Sequence, residues 1–460
     1  MKICKTSIFE KVLENPLLYV FSLAFLVRFA TALIVAIFYD NCLFDDDCGY
    51  LTVLKINNDG RPEELWTSEM NSYWNIHIAF YYPSVLLFKI FGFQPFIPQL
   101  LSVVAGSLIP LSITALLRNH TSLKIAVFSG LLSALWPSQI LWSSLVLRDS
   151  ASWMGLIAIA LIILHWTKTK NIQGVLLGAS ALVLVSLYLG HIRSHTLVTA
   201  MIALLIALSL TSRTKHFANI SIALHFVRIS IALLCFLFIP LISNVGIAGS
   251  NILGLRDFAT QRAAGAAQAD TFLVEPAIKY DKNLDSACFD ATNLIFSGMP
   301  VENVEYVNQE FDPEYLKAIE PCRLKQEDIP EAYDNSFAAH IKYLPKGLRV
   351  MLIDPLPNQL HKSNSLIPPF LENILWYPVL VFALYGSSYL LKRNTEVLYI
   401  ALAITGLAVS WGLIEGNFGT AFRHRGELLW GLMFFAGLGL EKFQKKMKLK
   451  RKGSDQKVEF

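Results

Sequence analysis

The chain contains few charged residues. Only 16% of its 460 residues are Asp, Glu, Lys or Arg, whereas 54% are hydrophobic. A soluble domain needs a more polar surface, so this composition excludes the soluble class. The net charge of +4 is too small to favour a nucleic-acid partner. Apolar runs of helix length recur, and they are too long for barrel strands. The pattern therefore predicts an all-α polytopic membrane protein.

Several other signals are also missing. No small-residue cleavage site follows the first apolar stretch, so we expect that stretch to remain as a membrane helix. The chain has no Gly-rich phosphate loop, which argues against a soluble nucleotide donor. No internal repeat supports an inverted-repeat transporter. The outer segments assigned below contain no Asn-x-Ser/Thr site, which disfavours a eukaryotic lumenal loop.

Hydropathy predicts ten membrane spans and one ambiguous stretch, residues 73–93. The ambiguous stretch has the Trp, Tyr, Pro and Lys content of a membrane interface. If it lies in the outer interface, the Lys/Arg clusters between spans all fall inside, whereas a crossing would place them all outside. We therefore predict an interfacial helix and cytoplasmic termini in the plasma (inner) membrane. The predicted spans are 17–38, 97–117, 123–143, 150–166, 173–190, 196–212, 218–241, 371–391, 396–414 and 426–441.

These spans divide the chain into four parts. Residues 1–241 form a transmembrane module whose first outer loop is 39–96, and 371–441 form the C-terminal transmembrane helices. Between them, 242–370 is a polar extracytoplasmic loop or small domain, too long for a simple connection. The basic tail 442–460 is typical of a cytoplasmic anchor beside anionic lipid headgroups.

Four cysteines fall in segments predicted to be outside, where disulfides form: Cys42, Cys48, Cys288 and Cys322. They can form two disulfides in three pairings, and free thiols without a role are the alternative. Cys4 is predicted inside and Cys235 within a span.

Polar residues gather at the predicted outer helix ends. Asp45, Asp46 and Asp47 follow the first span, and the others are Arg148, Asp149, His191, Arg193, His195, Arg423, His424 and Arg425. Each has an ordinary explanation as a solvated loop residue, a helix cap or a snorkelling side chain. Arginine is disfavoured at the outer face by the positive-inside bias, yet several arginines occur there together with carboxylates. This combination indicates an anionic ligand.

Arginine and carboxylate suit different parts of one reaction. Arginine binds phosphate through paired hydrogen bonds. A carboxylate can accept the proton of an attacking hydroxyl group. With no phosphate loop for a nucleotide, this combination predicts group transfer from a lipid-linked phosphate to a hydroxyl acceptor.

Three short motifs follow one another in the first third of the chain. The string Asp46–Tyr50 is Asp-acidic-x-x-Tyr, an aromatic/Pro stretch runs from 82 to 92, and Arg148-Asp149 follow the Pro-containing helix end 136–138. Over roughly residues 15–165 the chain resembles the membrane-embedded GT-C glycosyltransferases. That superfamily includes protein O-mannosyltransferases, the aminoarabinose lipid A transferase and oligosaccharyltransferases.

The resemblance implies a polyprenyl-phosphate sugar donor and inverting transfer of a hexosyl or pentosyl group. The acceptor would be a glycan, lipid or protein, in cell-surface polysaccharide or glycoconjugate synthesis. Asp46 would be the catalytic base or would orient the acceptor, although Asp45 allows a register shifted by one. Asp47 and Asp149 would support it, and Asp46 and Asp149 are the residues to hold a divalent cation if one is bound.

The remaining outer residues are predicted to bind substrate. The candidates to bind the donor phosphate are Arg423, Arg425, Arg193 and Arg148. The candidates to contact the rest of the substrate are Tyr50, His191, His195 and His424. The large outer segment 242–370 is predicted to build part of the acceptor site.

Two alternatives stay open. A Wzy-like polysaccharide polymerase or O-antigen ligase would use the outer arginines without the aspartates of the first loop, and the string 419–425 resembles bacterial surface-polysaccharide membrane proteins. A transporter or flippase of lipid-linked sugars would place ionisable groups along a midplane path. Only Arg28 and Arg228 lie deep in predicted spans, where a charge indicates function unless it is paired structurally.

Overall fold

A computed structural model gives the structure of the chain. It describes residues 14–61, 74, 77–169, 171–211, 222–244, 337–362, 366–392, 394–414 and 418–458. Within these ranges every regular element is helical. Most of the predicted outer segment 242–370, with Cys288 and Cys322, lies outside the described residues, as does Cys4.

The described α-helices are numbered in chain order. They are α1 Pro16–Phe38, α2 Asp45–Asn58, α3 Ile78–Phe91, α4 Phe96–Leu117, α5 Leu123–Ala134, α6 Pro137–Trp142, α7 Asp149–Lys168, α8 Ile172–Ile192, α9 Ser194–Thr211, α10 Ile222–Asn244, α11 Phe337–Leu352, α12 Ile367–Gly386, α13 Thr395–Ile414 and α14 Phe418–Val458. Two 3-10 helices, Pro357–Lys362 and Ser387–Lys392, precede and follow α12.

Six described helices are long and apolar enough to cross a membrane, so the chain is a membrane protein, and the part that the structure describes is all-α. They are α1, α4, α7, α8, α12 with part of its 3-10 extension, and α13, and they coincide with six of the ten predicted spans. The described apolar parts of α9 and α10, His195–Thr211 and His225–Leu237, are shorter. The predicted span 426–441 lies inside α14, which has 41 residues. These three spans remain predictions.

The predicted span 123–143 is not one continuous helix, and its crossing of the membrane remains a prediction. Helix α5 ends at Ala134 and α6 begins at Pro137. Trp136 between them has an extended backbone, with φ −70° and ψ 120°. Proline disfavours helical backbone at the residue before it, and its missing N–H and fixed φ suit the first position of a new helix. The local sequence therefore breaks the helix.

The buried Arg28 of α1 bridges this break. Its Nη1 donates to the carbonyl oxygen of Ala134 at 2.9 Å, and its Nε donates to Ser143 Oγ at 2.9 Å. Arg228 of α10 acts similarly, since its Nη2 donates to the carbonyl oxygen of Thr169 at 2.9 Å, just after α7. Both deep arginines thus satisfy carbonyl groups left open at helix ends. For Arg28, which bonds to two elements, this favours the structural explanation.

We expect Arg28→Ala to lower the free energy of unfolding by about 2–4 kcal/mol, because it leaves a cavity and an unbonded buried carbonyl. Unfolding of the purified protein by a denaturing detergent, followed by circular dichroism, measures the change. Leu26→Ala on the same helix is the control, since Leu26 is 62% exposed toward the surroundings. Equal losses in the two variants would contradict a bridging role for Arg28.

The ambiguous stretch forms a short helix. Helix α3 has 14 residues, which gives a length of about 21 Å. That is less than the ~30 Å of a hydrocarbon core. It ends at Gly92, whose φ of 73° an L side chain rarely adopts. Phe80, Tyr81 and Phe88 are buried along one face, as an interfacial helix packed on a bundle requires. Its place in the interface remains a prediction.

Helix α4 is the centre of the first half of the bundle, because α1, α5 and α7 all pack along it. Gly106 of α4 allows the chain after α6 to approach, since a Cβ there would lie 2.3 Å from Ser143 Cβ. Helix α8 packs on α7 and α10, and α9 packs on α10. Most buried volume is apolar, so hydrophobic and small side chains fix these contacts.

The described residues fall into two compact units. The first holds residues 14–244, 357–408 and 422–458 with their gaps, and the second holds 337–356 and 409–421 with its gap. In the second unit, Gly347 of α11 lies against the backbone of α13. A Cβ at 347 would lie 1.8 Å from the carbonyl oxygen of Gly412. The predicted four-part division of the chain remains a prediction.

Within the first unit, polar residues gather at two opposite ends. At one end Asp149 begins α7 and Arg193 follows α8. At the other end α7 finishes with Lys168, whose Nζ donates to Asn119 Oδ1, while Glu441 Oε2 accepts from Ser122 N at 3.0 Å. The residues predicted to lie outside thus separate from those predicted inside. The assignment of either end to the cytoplasm remains a prediction.

Candidate functional site

The candidate site is built around Asp149, the first residue of α7. Its carboxylate is fully buried and contacts two guanidinium groups. Arg193 Nη2 donates to Oδ1 at 2.6 Å, and Arg423 donates to Oδ2 through Nε at 2.9 Å and Nη2 at 2.6 Å. A buried carboxylate is tolerated only when it is paired and hydrogen-bonded. Asp149 therefore joins α7, α14 and the junction between α8 and α9.

A second buried carboxylate, Glu427, lies one turn after Arg423 on α14. It forms an ion pair with Arg193 Nη1 and accepts from Ser152 Oγ at 3.3 Å. Burial alone would lower the pKa of Arg193, but Asp149 and Glu427 outweigh it and raise that pKa. Arg193 is thus a permanent cation between two buried acids.

The network reaches solvent at Asp46. Arg423 Nη1 forms an ion pair with Asp46 Oδ2. The Asp46 side chain is 65% exposed, that of Arg423 is 13% exposed and that of Asp149 is not exposed at all. Burial acts to lower the pKa of Arg423, yet Asp149 and Asp46 together raise it. A substrate approaching from solvent therefore meets Asp46 and Nη1 of Arg423 first.

Asp47 has a different position from its neighbour. It is buried, and its two oxygens accept from the backbone N–H groups of Leu43 at 2.9 Å and Phe44 at 2.7 Å. Burial raises the pKa of Asp47, whereas the two backbone hydrogen bonds lower it. Burial has the larger effect, so the pKa of Asp47 lies above its usual value. A disulfide between Cys42 and Cys48 closes the same turn.

This turn presents Asp46 to Arg423. The backbone hydrogen bonds of Asp47 and the disulfide fix the start of α2. The side chain of Asp46, the residue before Asp47, faces Arg423. The side chain of Asp45 lies outside the described residues. Among the aspartates predicted to be catalytic, the geometry thus supports a substrate role for Asp46, while Asp47 holds the turn and Asp149 holds the arginines.

Tyr50 lies inside an aromatic cluster. Its ring is buried and lies edge-on to His77 at 5.3 Å and to Phe80 at 5.4 Å between centroids. Arg148 joins the cluster, since its Nη1 donates to His77 Nε2 at 2.5 Å and to the carbonyl oxygen of Ile192 at 2.9 Å. In the described part of the chain, Arg148 forms no ion pair with a carboxylate. It brings uncompensated positive charge beside the network.

Arg425 points to α12 instead of toward Asp46. Its Nη1 donates to Asn373 Oδ1 at 2.8 Å, and its guanidinium lies 5.3 Å from the ring centroid of Trp376. On the same helix, Glu372 accepts from Trp136 Nε1 at 2.7 Å and from Ser138 N at 2.7 Å. Arg425 and Glu372 thus tie α12 to α14 and to the start of α6.

The predicted histidines are spread around the network. His424 is buried, and burial together with Arg193 and Arg423 lowers its pKa well below the usual value, against Asp149. His424 is therefore neutral near pH 7. His191 is half-buried, with Nδ1 2.9 Å from the carbonyl oxygen of Leu187. His195 is half-buried in the first turn of α9.

The residues predicted to hold a divalent cation do not fit one. Asp46 and Asp149 both contact Arg423, whose positive charge occupies the space between them. Within the described ranges, no group of three His, Cys, Asp or Glu side chains is close enough to hold a metal ion.

Three residues of the site were missed by sequence reasoning: Glu372, Asn373 and Glu427. A signal for Glu372 was present, because a carboxylate inside the predicted span 371–391 is costly unless it is paired. Glu427 lies within the predicted span 426–441 and carried the same signal. Asn373 had none, since an amide in a span has many ordinary roles.

Comparison of the chain with models of known protein families and with known proteins finds no match. The chemistry of the site and the motif resemblance are therefore the basis for a function. The arrangement combines one exposed carboxylate, a guanidinium fixed by a buried acid, and a further arginine without a carboxylate. Such a set can take up a proton and neutralise a phosphate.

Proposed function

We propose that this protein is a membrane glycosyltransferase of GT-C type that moves a sugar from a polyprenyl-phosphate donor to a hydroxyl acceptor at the outer membrane face. The proposal includes cell-surface polysaccharide or glycoconjugate synthesis as its setting. One observation supports it most: the exposed Asp46 contacts the arginine that the buried Asp149 holds in place. A base and a phosphate-binding cation are thus adjacent.

In the proposed reaction, the acceptor hydroxyl oxygen attacks the anomeric carbon as the bond from that carbon to the phosphate oxygen breaks. The hydroxyl proton passes to the Asp46 carboxylate. The polyprenyl phosphate leaves with both electrons of the broken bond, so its phosphate gains a negative charge. Attack opposite the leaving phosphate inverts the anomeric carbon.

Arg423 is suited to stabilise this leaving group. Its Nε and Nη2 are fixed by Asp149, which leaves Nη1 directed at the exposed edge of the network. A donor phosphate that accepts from Nη1 displaces Asp46 from the ion pair and frees its carboxylate for the proton. A donor group held in advance against developing charge needs no reorganisation during the reaction. Arg148 supplies further positive charge nearby.

We expect Asp46→Asn to lower transfer about 10²-fold, the low end for loss of a general base, because asparagine still accepts from Arg423 and leaves Asp149 paired. Mass spectrometry of lipid-linked and surface glycans measures transfer in cells that carry the wild-type protein, no protein, or a variant. Asp59→Asn is the matched control, since Asp59 is an exposed residue just after the same helix α2.

The same experiment separates the alternatives. Full transfer by a folded Asp46→Asn variant, with loss only in Arg423→Gln, would favour a polymerase or ligase that depends on arginine alone. Sugar translocation into liposomes without covalent transfer would favour a flippase. Glycans that are identical with and without the protein would overturn the proposal.

A further inference from the structure

We propose that the groove between α7 and α8, at the end away from Asp149, binds the phosphate headgroup and one acyl chain of an anionic phospholipid. Helix α7 has 20 residues from Asp149 to Lys168, which separates its ends by about 28 Å. That length is close to the ~30 Å hydrocarbon core, so the groove opens at the opposite membrane surface. This site is independent of the proposed glycosyl transfer.

The mouth of the groove is polar and carries positive charge. A cavity of about 400 Å³ is lined by His165, Lys168, Thr169, Asn171, Gln173, Gly174 and Leu177, with no acidic residue among them. Lys168 Nζ donates to the neutral Asn119 Oδ1 at 2.5 Å, and this contact leaves its charge uncompensated. Lys168 forms no ion pair in the described part of the chain.

A second cation lies directly behind the mouth. Arg228 is buried, and its Nη2 donates to the carbonyl oxygen of Thr169, which lines the cavity. Its Nε is buried and has no hydrogen-bond partner. No carboxylate forms an ion pair with Arg228 in the described ranges. A buried arginine without an acid favours an anion at the adjacent cavity.

The backbone adds to this attraction. Asn171 caps the N-terminus of α8 by accepting from Gly174 N at 2.9 Å, and both residues line the mouth. The N-terminus of a helix carries a partial positive charge that favours anions. The lysine and the helix terminus therefore border the same cavity, and Arg228 contacts the backbone of Thr169 in its lining.

The groove continues as an apolar channel. A second cavity of about 250 Å³ shares His165 and Leu177 with the first and is otherwise lined by Leu161, Ile162, Gly178 and Ala181. Leu177 and Leu184 of α8 are strongly exposed, which is expected of a side that faces lipid. A free phosphate would leave this channel empty. A ligand with a phosphate and a hydrocarbon chain fits both halves, and phospholipid is the amphiphile at that surface.

The test is native mass spectrometry of the full chain in detergent, titrated with phosphatidylglycerol or phosphatidylcholine. We expect one phosphatidylglycerol to be retained in preference to phosphatidylcholine. Lys168→Gln should weaken phosphatidylglycerol binding about five-fold, the usual effect of one basic residue at an anionic lipid surface. Ala181→Trp, which fills the channel, should weaken both lipids. Lys124→Gln is the control, because Lys124 is exposed near the same end and does not line the groove.

Four results would overturn the proposal. They are equal retention of the two lipids, an equal effect of Lys124→Gln and Lys168→Gln, competition by glycerol phosphate at the concentration of the lipid, and tighter retention of a polyprenyl phosphate than of phosphatidylglycerol. The third would show that the apolar channel is not used, and the fourth would assign the groove to an isoprenoid chain.

Discussion

Arg423→Gln is expected to lower the turnover number of glycosyl transfer about 10²–10³-fold, the usual loss when one fixed donor to a developing negative charge is removed. Arg423 makes three contacts with two carboxylates, through Nε and Nη2 to Asp149 and through Nη1 to Asp46. A glutamine side chain cannot bond to the carboxylates of Asp149 and Asp46 at the same time. The leaving phosphate then loses its cation, and Asp46 loses the partner that positions it.

Lysine should not rescue this position. Lysine has a single ammonium group, whereas the planar guanidinium directs its nitrogens to two acids at once. We therefore expect Arg423→Lys to stay at least about 10-fold below wild type. Arg118→Gln, an exposed arginine after α4, is the matched control and should keep full transfer. Thermal melts of each variant establish folding. A folded Arg423→Gln protein with full transfer would refute the role given to this arginine.

Asp149→Ala is expected to lower the free energy of unfolding by about 3–5 kcal/mol, the typical effect of removing one partner from a buried ion pair. The substitution leaves Arg193 and Arg423 buried beside each other without the acid that joins them. Like charges then repel in a region with little water. Activity should be lost as well, because Arg423 is no longer held.

A double-mutant cycle separates pairing from packing. Asp149→Ala and Arg193→Ala, alone and combined, should show a coupling energy of about 1–3 kcal/mol in unfolding by a denaturing detergent. Asp59→Ala is the control for loss of a carboxylate and should change stability by less than about 0.5 kcal/mol. Additive losses at Asp149 and Arg193 would mean that their contact does not stabilise the fold.

The membrane class and much of the helix order could be read from the sequence, because apolar runs of sufficient length have few alternatives in a bilayer. Six predicted spans coincide with helices that are long and apolar enough to cross a membrane. The helix end at 136–138 was predicted from Pro137, and the structure has the interruption there, between Ala134 and Pro137. The number of spans beyond six remains a prediction.

The separation of charged residues was also determined by the sequence. The sequence predicted Asp149, Arg193 and Arg423 on one membrane face, because successive membrane-spanning helices end on opposite faces in turn. In the structure the side chains of these three residues are in contact. Their charge alone could not identify the pairs. Asp45, Asp46 and Asp47 are the same residue type in consecutive positions, so composition cannot distinguish them.

Only the tertiary structure decided which side chains pair. Asp46 and Arg423 are 377 residues apart in the chain and form an ion pair, whereas Asp47 binds the backbone of its own turn. Arg425, two residues from Arg423, bonds to Asn373 instead. Hydrophobic burial follows local composition, so the sequence determines it. Hydrogen bonds act over about 3 Å and depend on direction, so they are set only when the helices pack.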